Sequence, residues 1–195
     1  MTASLPSIVL ARHGATAWSV TGQHTGRTDL ALTPDGERDA AALRTKLADR
    51  RFALVLSSPL QRARRTAELA GFGDGLQLDP DLLEWDYGEY EGRRTADIRK
   101  ERPGWNLFTD GCPGGETLAS VALRADRVIA RLQAADADAL VFAHGHILRV
   151  LAARWLRLPA LEARRFVLAT ATLSVLGYDH DRDEPALRIW NAERA

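Results

Sequence analysis

The sequence predicts an α/β fold, a three-layer sandwich around a central sheet that is mainly parallel. Three short runs are apolar at almost every position, namely residues 7–11, 52–57 and 139–143. Uninterrupted apolar runs of this length are typical of parallel strands buried on both faces. Stretches with helical periodicity lie between them, and this alternation of strands and helices predicts helices on both faces of one sheet.

Short signals mark where two of the helices begin. Thr33-Pro34 combines an N-cap residue with proline at the first helical position, which predicts a helix to about residue 49. Ser58-Pro59 repeats the combination and predicts a helix to about residue 70. Two further helical patterns begin at Thr117 and at residue 147, the latter running to residue 156.

The remaining segments are two strands and two irregular regions. The strands are predicted at residues 172–178 and 186–191, nearer an edge of the sheet. Residues 14–32 carry little regular pattern, and loops of this length in compact domains are usually functional or disordered. Residues 84–115 are also predicted to be irregular, apart from a short helix near residues 96–102.

The composition is that of an ordinary globular protein. With 195 residues we expect one domain, residues 1–195, with a substantial core. The 26 basic and 26 acidic residues give a net charge of zero, so no overall field attracts nucleic acid or an acidic membrane. The single cysteine, Cys112, excludes an intrachain disulfide. Neither a signal-peptide pattern nor a membrane-length apolar run is present, so we expect a cytoplasmic location.

Polar side chains follow each of the three apolar runs, where the strands should end. In chain order these are Arg12-His13-Gly14, then Ser57-Ser58-Pro59 followed by Arg62, and then His144-Gly145-His146. Because ligands of open α/β sheets bind beyond the carboxyl ends of the strands, two arginines and two histidines should converge on one crevice. No acidic partner is obvious within this cluster, so the sequence predicts an anion that neutralises it.

Arg62 gives a separate reason to expect an anion. It falls in the first turn of its predicted helix, where the helix dipole disfavours a cation. A phosphate shared by the helix terminus and the guanidinium would remove this conflict. A surface arginine that reaches a carboxylate is an equally compatible interpretation. For Arg64 and Arg65 that second interpretation is favoured, because Glu68 lies within helical pairing distance.

A histidine beside an anion clamp can attack phosphorus if its ring is held neutral. Phosphoryl transfer mainly requires positioning and charge stabilisation, which two arginines and a second histidine can supply. The leaving alcohol then needs a proton from a carboxylic acid whose pKa is raised by a partly apolar site. Glu84 lies beside Trp85 in such a setting, but Asp86, Glu89 and Glu91 remain alternatives on residue type alone.

Four motifs, in order along nearly the whole chain, resemble those of the histidine phosphatase superfamily, also called the phosphoglycerate mutase-like family. They are LARHGAT, SSPLQRARRTA, LLEWDYGEYEG and VFAHGH. The resemblance implies a phosphoglycerate mutase-like fold, phosphorylation of His13, and a phosphoryl group held by Arg12, Arg62 and His144. It also implies that Glu84 donates the proton and then activates the water that hydrolyses the phosphohistidine. No metal and no cofactor are expected.

The resemblance also indicates residues that contact the rest of the substrate. Thr25, Gly26 and Tyr87 fall on family positions of this kind, and Gly14 should let the backbone approach the ligand. The full set expected to bind substrate is Arg12, Gly14, Ser19, Thr25, Gly26, Arg62, Tyr87, His144, Gly145 and Arg149. In bisphosphatase relatives the arginine at the position of Arg149 faces the substrate, where it could bind a second phosphate.

Departures from the mutase pattern favour hydrolysis. Family mutases carry asparagine where this chain has Ser19 and lysine where it has Thr95, and their arginine pair further along is absent. Water should therefore intercept the phosphoenzyme. This predicts a metal-independent phosphatase for small phosphorylated metabolites, with a mutase that shares the first step as the alternative. A non-catalytic phosphate-binding module is disfavoured, because nucleophile, clamp and acid are all present.

The branch of the family is narrowed by HGATAWSVTGQHTGRTDLALT and ERPGWNLFTDGCPGGET. These segments resemble sedoheptulose-1,7-bisphosphatase-like proteins and actinobacterial acid phosphatases. His24 stands where the bisphosphatase relatives have tyrosine, which argues against a fixed sugar-bisphosphate specificity. The sequence leaves the preferred substrate open, and also the oligomeric state, a homodimer included.

Several conspicuous residues have a simpler structural interpretation. His146 belongs to no recognisable metal motif and is expected either in the pocket wall or behind residues that contact substrate, whereas His180 is expected in a charged surface loop. The segment GGET at residues 114–117 lacks the ending of a phosphate loop and should form a turn and a helix cap. Core packing is expected for at least half of five aromatic residues, Trp18, Trp85, Tyr87, Tyr90 and Trp105.

Overall fold

A six-stranded sheet forms the centre of the computed structural model, which describes residues 5–192. The strands are β1 Ile8–Arg12, β2 Leu54–Ser57, β3 Gln77–Leu78, β4 Ala139–Ala143, β5 Leu173–Tyr178 and β6 Pro185–Ala192. Their order is β3-β2-β4-β1-β5-β6. The first four in this order are parallel, whereas β5 is antiparallel to both β1 and β6. The predicted mainly parallel sheet, with the last two strands towards an edge, is confirmed.

Helices lie in the connections between the strands, except between β5 and β6. They are α1 Ala17–Thr21, α2 Pro34–Leu47, α3 Gln61–Leu69, α4 Thr95–Glu101, α5 Leu107–Asp110, α6 Leu118–Ala135 and α7 Gly145–Trp155. Short 3-10 turns lie at Pro80–Leu82, Gly88–Tyr90 and Ala160–Arg165. Within the described residues, every helix is too short or too polar to cross a bilayer. Residues 1–4, considered above for a leader, and residues 193–195 lie outside the described part of the chain.

The sheet is covered on both faces. Ile8 and Leu10 of β1 pack into a core with Leu151 of α7, whereas Val9 packs into a separate core with Leu43 of α2. Because successive strand residues point to opposite faces, one short apolar run supplies both cores. Each fully buried Leu or Ile stabilises the fold by about 1.5–3 kcal/mol relative to exposure. The predicted three-layer sandwich is confirmed.

Two helix starts differ in how well the sequence predicted them. Thr33 caps α2 as predicted, since its side chain accepts a hydrogen bond from the Gly36 N–H at 3.0 Å. The predicted cap at Ser58 is wrong, because α3 begins only at Gln61. The Ser58 Oγ lies 2.7 Å from His144 Nε2 and also accepts from the Leu60 N–H at 3.3 Å, so it stabilises the turn before the helix and not the start of the helix.

The segment 14–32 is less irregular than predicted. It contains α1, which begins with a capping box: Thr16 Oγ1 accepts from the Ser19 N–H at 3.2 Å, and Ser19 Oγ accepts from the Thr16 N–H at 2.8 Å. The five-residue helix is too short to show helical periodicity, which explains why the sequence did not reveal it.

Candidate active site

A cavity of about 200 Å³ opens beyond the carboxyl ends of β1 and β4. Because Arg12 pairs with Ala143 in the parallel register, the residues that follow these two strands lie side by side, as predicted. The cavity is lined by Arg12, His13, Ser19, Gly22, Gln23, His24, Thr25, Glu84, Tyr87, Gly145, His146, Arg149 and Leu168. Four predicted site residues are not in this lining: Gly14, Gly26, Arg62 and His144.

His13 presents a neutral ring to the cavity. Its Nδ1 lies 2.7 Å from the Gly14 carbonyl oxygen, and only a protonated nitrogen can donate there. The other nitrogen, Nε2, therefore keeps its lone pair. Burial, together with the positive charges of Arg12 and Arg62, lowers the pKa of His13 from 6.5 to about 3. At neutral pH the ring is an unprotonated nucleophile, as its predicted role requires.

His144 lies behind His13 and is also held in one tautomer. The two ring centroids are 5.1 Å apart. Arg62 Nε donates to His144 Nδ1 at 3.1 Å, so Nε2 carries the proton and donates to Ser58 Oγ at 2.7 Å. Burial and the adjacent Arg62 hold the pKa of His144 well below its usual range. Both ring nitrogens are thus engaged by the protein itself.

Arg62 is fully buried and anchors the loop that follows α1. Its Nη2 donates to the carbonyls of Thr25 and Gly26 at 3.1 and 2.9 Å, and its Nη1 donates to Thr28 at 2.9 Å. With the bond to His144, four of the five guanidinium N–H groups have protein acceptors. The interpretation of Arg62 as a surface residue that reaches a carboxylate is therefore wrong, since its partners are carbonyls and a ring nitrogen.

The neighbouring arginines on α3 differ from Arg62. Arg64 and Arg65 are both exposed. Arg65 pairs with Glu68 at 3.4 Å, as the helical spacing predicted, and also with Glu37 of α2 at 2.8 Å.

Arg12 has an unsatisfied donor in the cavity wall. Its Nη1 donates to the Leu168 carbonyl, but its buried Nε has no hydrogen-bond partner. The guanidinium packs against Gly145, where an added Cβ would lie 3.3 Å from the Arg12 Cζ. Burial lowers the pKa of Arg12, against the attraction of Glu84. Since buried polar groups are nearly always hydrogen-bonded, this Nε indicates where an anion would complete the site.

Glu84 is ionised in this site, contrary to the expectation of a raised pKa. Burial does raise the pKa of Glu84, but the hydrogen bonds that its carboxylate accepts, one of them from the His146 backbone N–H, outweigh burial and hold the pKa well below 4.5. Its Oε1 accepts from the N–H groups of Trp85 and Ile147 at 2.9 and 3.0 Å, and its Oε2 accepts from His146 N–H at 2.9 Å. Two of these donors are orphan N–H groups in the first turn of α7, which favours a negative charge.

The other acidic residues near Glu84 have different roles. Glu91 accepts from the N–H groups of Gly26 and Thr28 at 2.8 and 3.0 Å, which braces the loop held by Arg62. Asp86 accepts from its own turn, and Glu89 is exposed. Of these four carboxylates, Glu84 is the one that lines the cavity.

Tyr87, His146 and His24 form one side of the cavity. The Tyr87 hydroxyl lies 2.7 Å from His146 Nδ1, and burial and Glu84 raise the pKa of Tyr87 well above 10, so the hydroxyl keeps its proton and donates. His24 lies on Tyr87 with centroids 4.7 Å apart. Burial and nearby His146 lower the pKa of His24 to about 4. His146 is in the pocket wall as predicted, whereas His24 was not among the predicted contacts.

Two glycines that are predicted to bind substrate lie in tight backbone contacts. A Cβ on Gly14 would lie 2.3 Å from the Gly36 carbonyl oxygen, and a Cβ on Gly26 would lie 2.5 Å from that of Trp85. At both positions the contact with the neighbouring backbone is by itself sufficient to require glycine. Ser19 does line the cavity, although its hydroxyl is engaged in the capping box of α1.

Several residues that line the cavity were not predicted from the sequence, and the reasons can be identified. Leu168 contributes a backbone carbonyl, which no side-chain pattern reveals. Gly22, Gln23 and His24 lie in the segment with little regular pattern. For His24 the sequence did contain a signal of its place in the cavity, because the bisphosphatase relatives have tyrosine at this position. Arg149 lines the cavity, but its Nε and Nη2 donate to carbonyls of the 3-10 turn Ala160–Arg165.

The simpler interpretations of the remaining conspicuous residues are confirmed. Thr117 caps α6 by accepting from the Ser120 N–H at 3.1 Å. His180 is exposed in the turn between β5 and β6, 2.8 Å from Glu184. Core burial holds for four of the five aromatic residues, Trp85, Tyr87, Tyr90 and Trp105.

Comparisons with known proteins agree with this geometry. The profile of the histidine phosphatase superfamily (branch 1) matches residues 8–193. An acid phosphatase of Mycobacterium tuberculosis is 40% identical over 177 residues, covering 89% of this chain and 87% of the relative. The sedoheptulose 1,7-bisphosphatase of Saccharomyces cerevisiae is 35% identical over 252 residues, covering 94% and 92%.

Two further similarities extend the comparison. A protein of Erwinia tasmaniensis named "Probable phosphoglycerate mutase GpmB" is 31% identical over 198 residues, covering 96% of this chain and 91% of the relative. A solved structure of a Mycobacterium tuberculosis open reading frame superposes with a TM-score of 0.90 at 37% identity, covering 95% of this chain and 97% of the other. The chain thus belongs to the histidine phosphatase superfamily, as its motifs predicted, and is an enzyme of the phosphatase type.

Proposed function

We propose that this chain hydrolyses small phosphomonoesters through a phosphohistidine at His13. The observation that carries the proposal is the His13 ring, held by Gly14 with an unprotonated Nε2 in a cationic cavity. Nε2 forms a bond to phosphorus as the P–O bond to the alcohol breaks, and Glu84 protonates the departing oxygen. Water then attacks phosphorus while Glu84 takes its proton, the P–N bond breaks, and phosphate leaves.

The ionised state of Glu84 is compatible with this role once substrate is bound. A phosphate group beside the carboxylate adds negative charge, which raises the pKa of Glu84 towards the range of a proton donor. The unsatisfied Nε of Arg12 would donate to the same phosphate. Arg62 and His144 act mainly as positioning residues, since most of their polar atoms already have protein partners.

The substrate class follows from the size of the cavity and from the relatives. A cavity of about 200 Å³ suits a small phosphorylated metabolite, and one relative carries the name of a sugar bisphosphatase. A mutase remains the second candidate, because one relative bears that name and the first chemical step is shared.

We further propose one domain over residues 1–195, a cytoplasmic location and a homodimer as the oligomeric state to be tested.

The test is turnover of phosphomonoesters by the wild-type chain and by His13→Ala in the presence of EDTA. We expect wild-type phosphate release to survive EDTA and an acid-labile phosphoenzyme to form with radiolabelled substrate. Both should fall to background in His13→Ala. His180→Ala is the matched control, because it changes a histidine that is exposed and lies outside the cavity.

Two outcomes would contradict the proposal. Undiminished turnover by His13→Ala would overturn the phosphohistidine mechanism. Interconversion of 2- and 3-phosphoglycerate faster than phosphate release would replace the phosphatase with the mutase.

A further inference from the structure

A second cavity of about 150 Å³ adjoins the active-site cavity, and we call it the distal cavity. The two cavities share His24, His146 and Arg149 in their linings, so these three side chains form the partition between them. His13, the proposed nucleophile, lines the active-site cavity and not the distal one. The partition therefore decides whether a leaving group that extends away from His13 can enter the distal cavity.

Two of the three partition residues are anchored by hydrogen bonds. His146 Nδ1 lies 2.7 Å from the Tyr87 hydroxyl. Arg149 donates from Nε to the Ala163 carbonyl at 3.1 Å and from Nη2 to the Arg164 carbonyl at 3.0 Å. Displacing either side chain would leave these polar partners without a hydrogen bond, which is costly away from water. His146 and Arg149 are therefore fixed parts of the wall.

The third partition residue, His24, projects from a fixed point of the backbone. The His24 N–H donates to the Arg93 carbonyl at 2.9 Å, and the His24 carbonyl accepts from the Gly92 N–H at 2.8 Å. Beside it, Gln23 Nε2 donates to the Gly92 carbonyl at 2.8 Å. These bonds tie the loop after α1 to the segment that precedes α4. The His24 ring therefore stays in the partition unless all of these bonds break.

Packing holds the His24 ring in place, with little help from polar contacts. The ring lies on Tyr87 with centroids 4.7 Å apart and meets Trp105 edge-on at 5.6 Å. Its Nε2 makes a long contact of 3.3 Å with Thr95 Oγ1. Burial and nearby His146 lower the pKa of His24 to about 4, so at neutral pH the ring carries no charge. The His24 ring thus acts on a ligand mainly through its volume.

We propose that His24 is a specificity-determining residue that limits the length of the leaving group, because its ring closes the active-site cavity against the distal cavity. The substrate class is then phosphomonoesters of short, compact alcohols, whose carbon chain ends before this ring. This role rests on the proposed function and deepens it. Without the ring, cavities of about 200 and 150 Å³ would join, and the site would accept a longer leaving group.

The experiment compares propyl phosphate with hexyl phosphate, which differ only in chain length. Hydrophobicity alone would raise kcat/KM about fourfold for each methylene that leaves water, and so about fiftyfold between the two. In the wild type we expect little gain, because the His24 ring blocks the extra carbons. In His24→Ala the ratio of kcat/KM for hexyl over propyl phosphate should rise at least about tenfold, mainly through a lower KM, since Trp105 and Phe108 line the distal cavity.

Three further variants separate the volume of the ring from its other properties. His24→Phe keeps an aromatic ring but removes both nitrogens, so it should keep the length limit. His24→Val leaves a side chain of intermediate size and should give an intermediate ratio, which also keeps the test open if the alanine variant folds poorly. Val20→Ala is the matched control, since Val20 is exposed on α1 and outside both linings, and it should behave as the wild type.

Propylphosphonate and hexylphosphonate test the length limit without turnover, because the proposed reaction does not cleave their P–C bond. Their affinities, measured by calorimetry, should follow the same order in each variant. An equal hexyl-to-propyl ratio in the wild type and His24→Ala, or loss of the limit in His24→Phe, would overturn the role of His24 and leave the phosphatase standing. A limit seen with the phosphonates, without hydrolysis of any phosphomonoester, para-nitrophenyl phosphate included, would overturn the proposed function alone.

Discussion

Glu84 can be identified as a candidate acid from the sequence, but its protonation state cannot. Its place beside Trp85 selects it as one of four candidate acids, and the structure places it alone among them in the cavity. Its ionisation depends on the N–H groups of His146 and Ile147, which are more than sixty residues away in sequence. A carboxylate that accepts several backbone N–H groups stays charged even when buried.

Glu84→Gln should lower kcat strongly, by about 10²–10⁴-fold for alkyl phosphates, because an amide cannot deliver a proton to the alcohol. The loss should be smaller for para-nitrophenyl phosphate, whose leaving group needs no proton. Single-turnover formation of the phosphoenzyme with both substrates measures the difference, because this step precedes the activation of water by Glu84. Glu89→Gln is the matched control, since that side chain is exposed. Equal loss on both substrates would assign Glu84 a role other than proton donation.

At the scale of elements, the approach of β1 to α2 determines where His13 lies. Gly14 follows β1 and Gly36 lies in the first turn of α2, and a Cβ on Gly14 would lie 2.3 Å from the Gly36 carbonyl oxygen. The Gly14 N–H also donates to Thr66 of α3 at 3.0 Å. The strand end that carries the nucleophile is therefore held by close backbone contact with α2 and by a hydrogen bond to a side chain of α3.

Gly14→Ala should destabilise the fold by about 1–3 kcal/mol or more, because backbone atoms cannot move aside as a flexible side chain would. The midpoint of urea unfolding measures this loss. Gly73→Ala is the control, since its added Cβ would make ordinary van der Waals contacts with Glu68, the shortest of them 3.4 Å. If Gly14→Ala were as stable as Gly73→Ala, the tight β1–α2 contact would not exist.

At the scale of the whole molecule, burial of neutral histidines makes stability depend on pH. Burial, with Arg12 and Arg62, lowers the pKa of folded His13 from 6.5 to about 3, and burial and His146 lower that of His24 to about 4. Below pH 6.5 the unfolded chain binds protons that the folded chain does not. Stability is therefore full above pH 6.5 and declines as the pH falls towards the folded pKa values.

The decline should approach about 1.4 kcal/mol per pH unit for each such histidine. We expect the free energy of unfolding, measured with urea, to be clearly lower at pH 5 than at pH 7. His24→Gln removes one titrating group and should flatten the dependence between pH 4 and 6.5. Equal unfolding midpoints at pH 5 and pH 7 would contradict the buried, neutral state of these rings.

The sequence alone determined the layers of the fold, the polar strand ends and the family. Apolar runs and N-cap signals are local, so the bounds of β1, β4 and α2 could be predicted to within about two residues. The tertiary structure alone decided which nitrogen of His13 is free, that Glu84 is ionised and that Ser58 binds His144. These properties arise from backbone donors and burial supplied by distant segments, and no local pattern in the sequence encodes them.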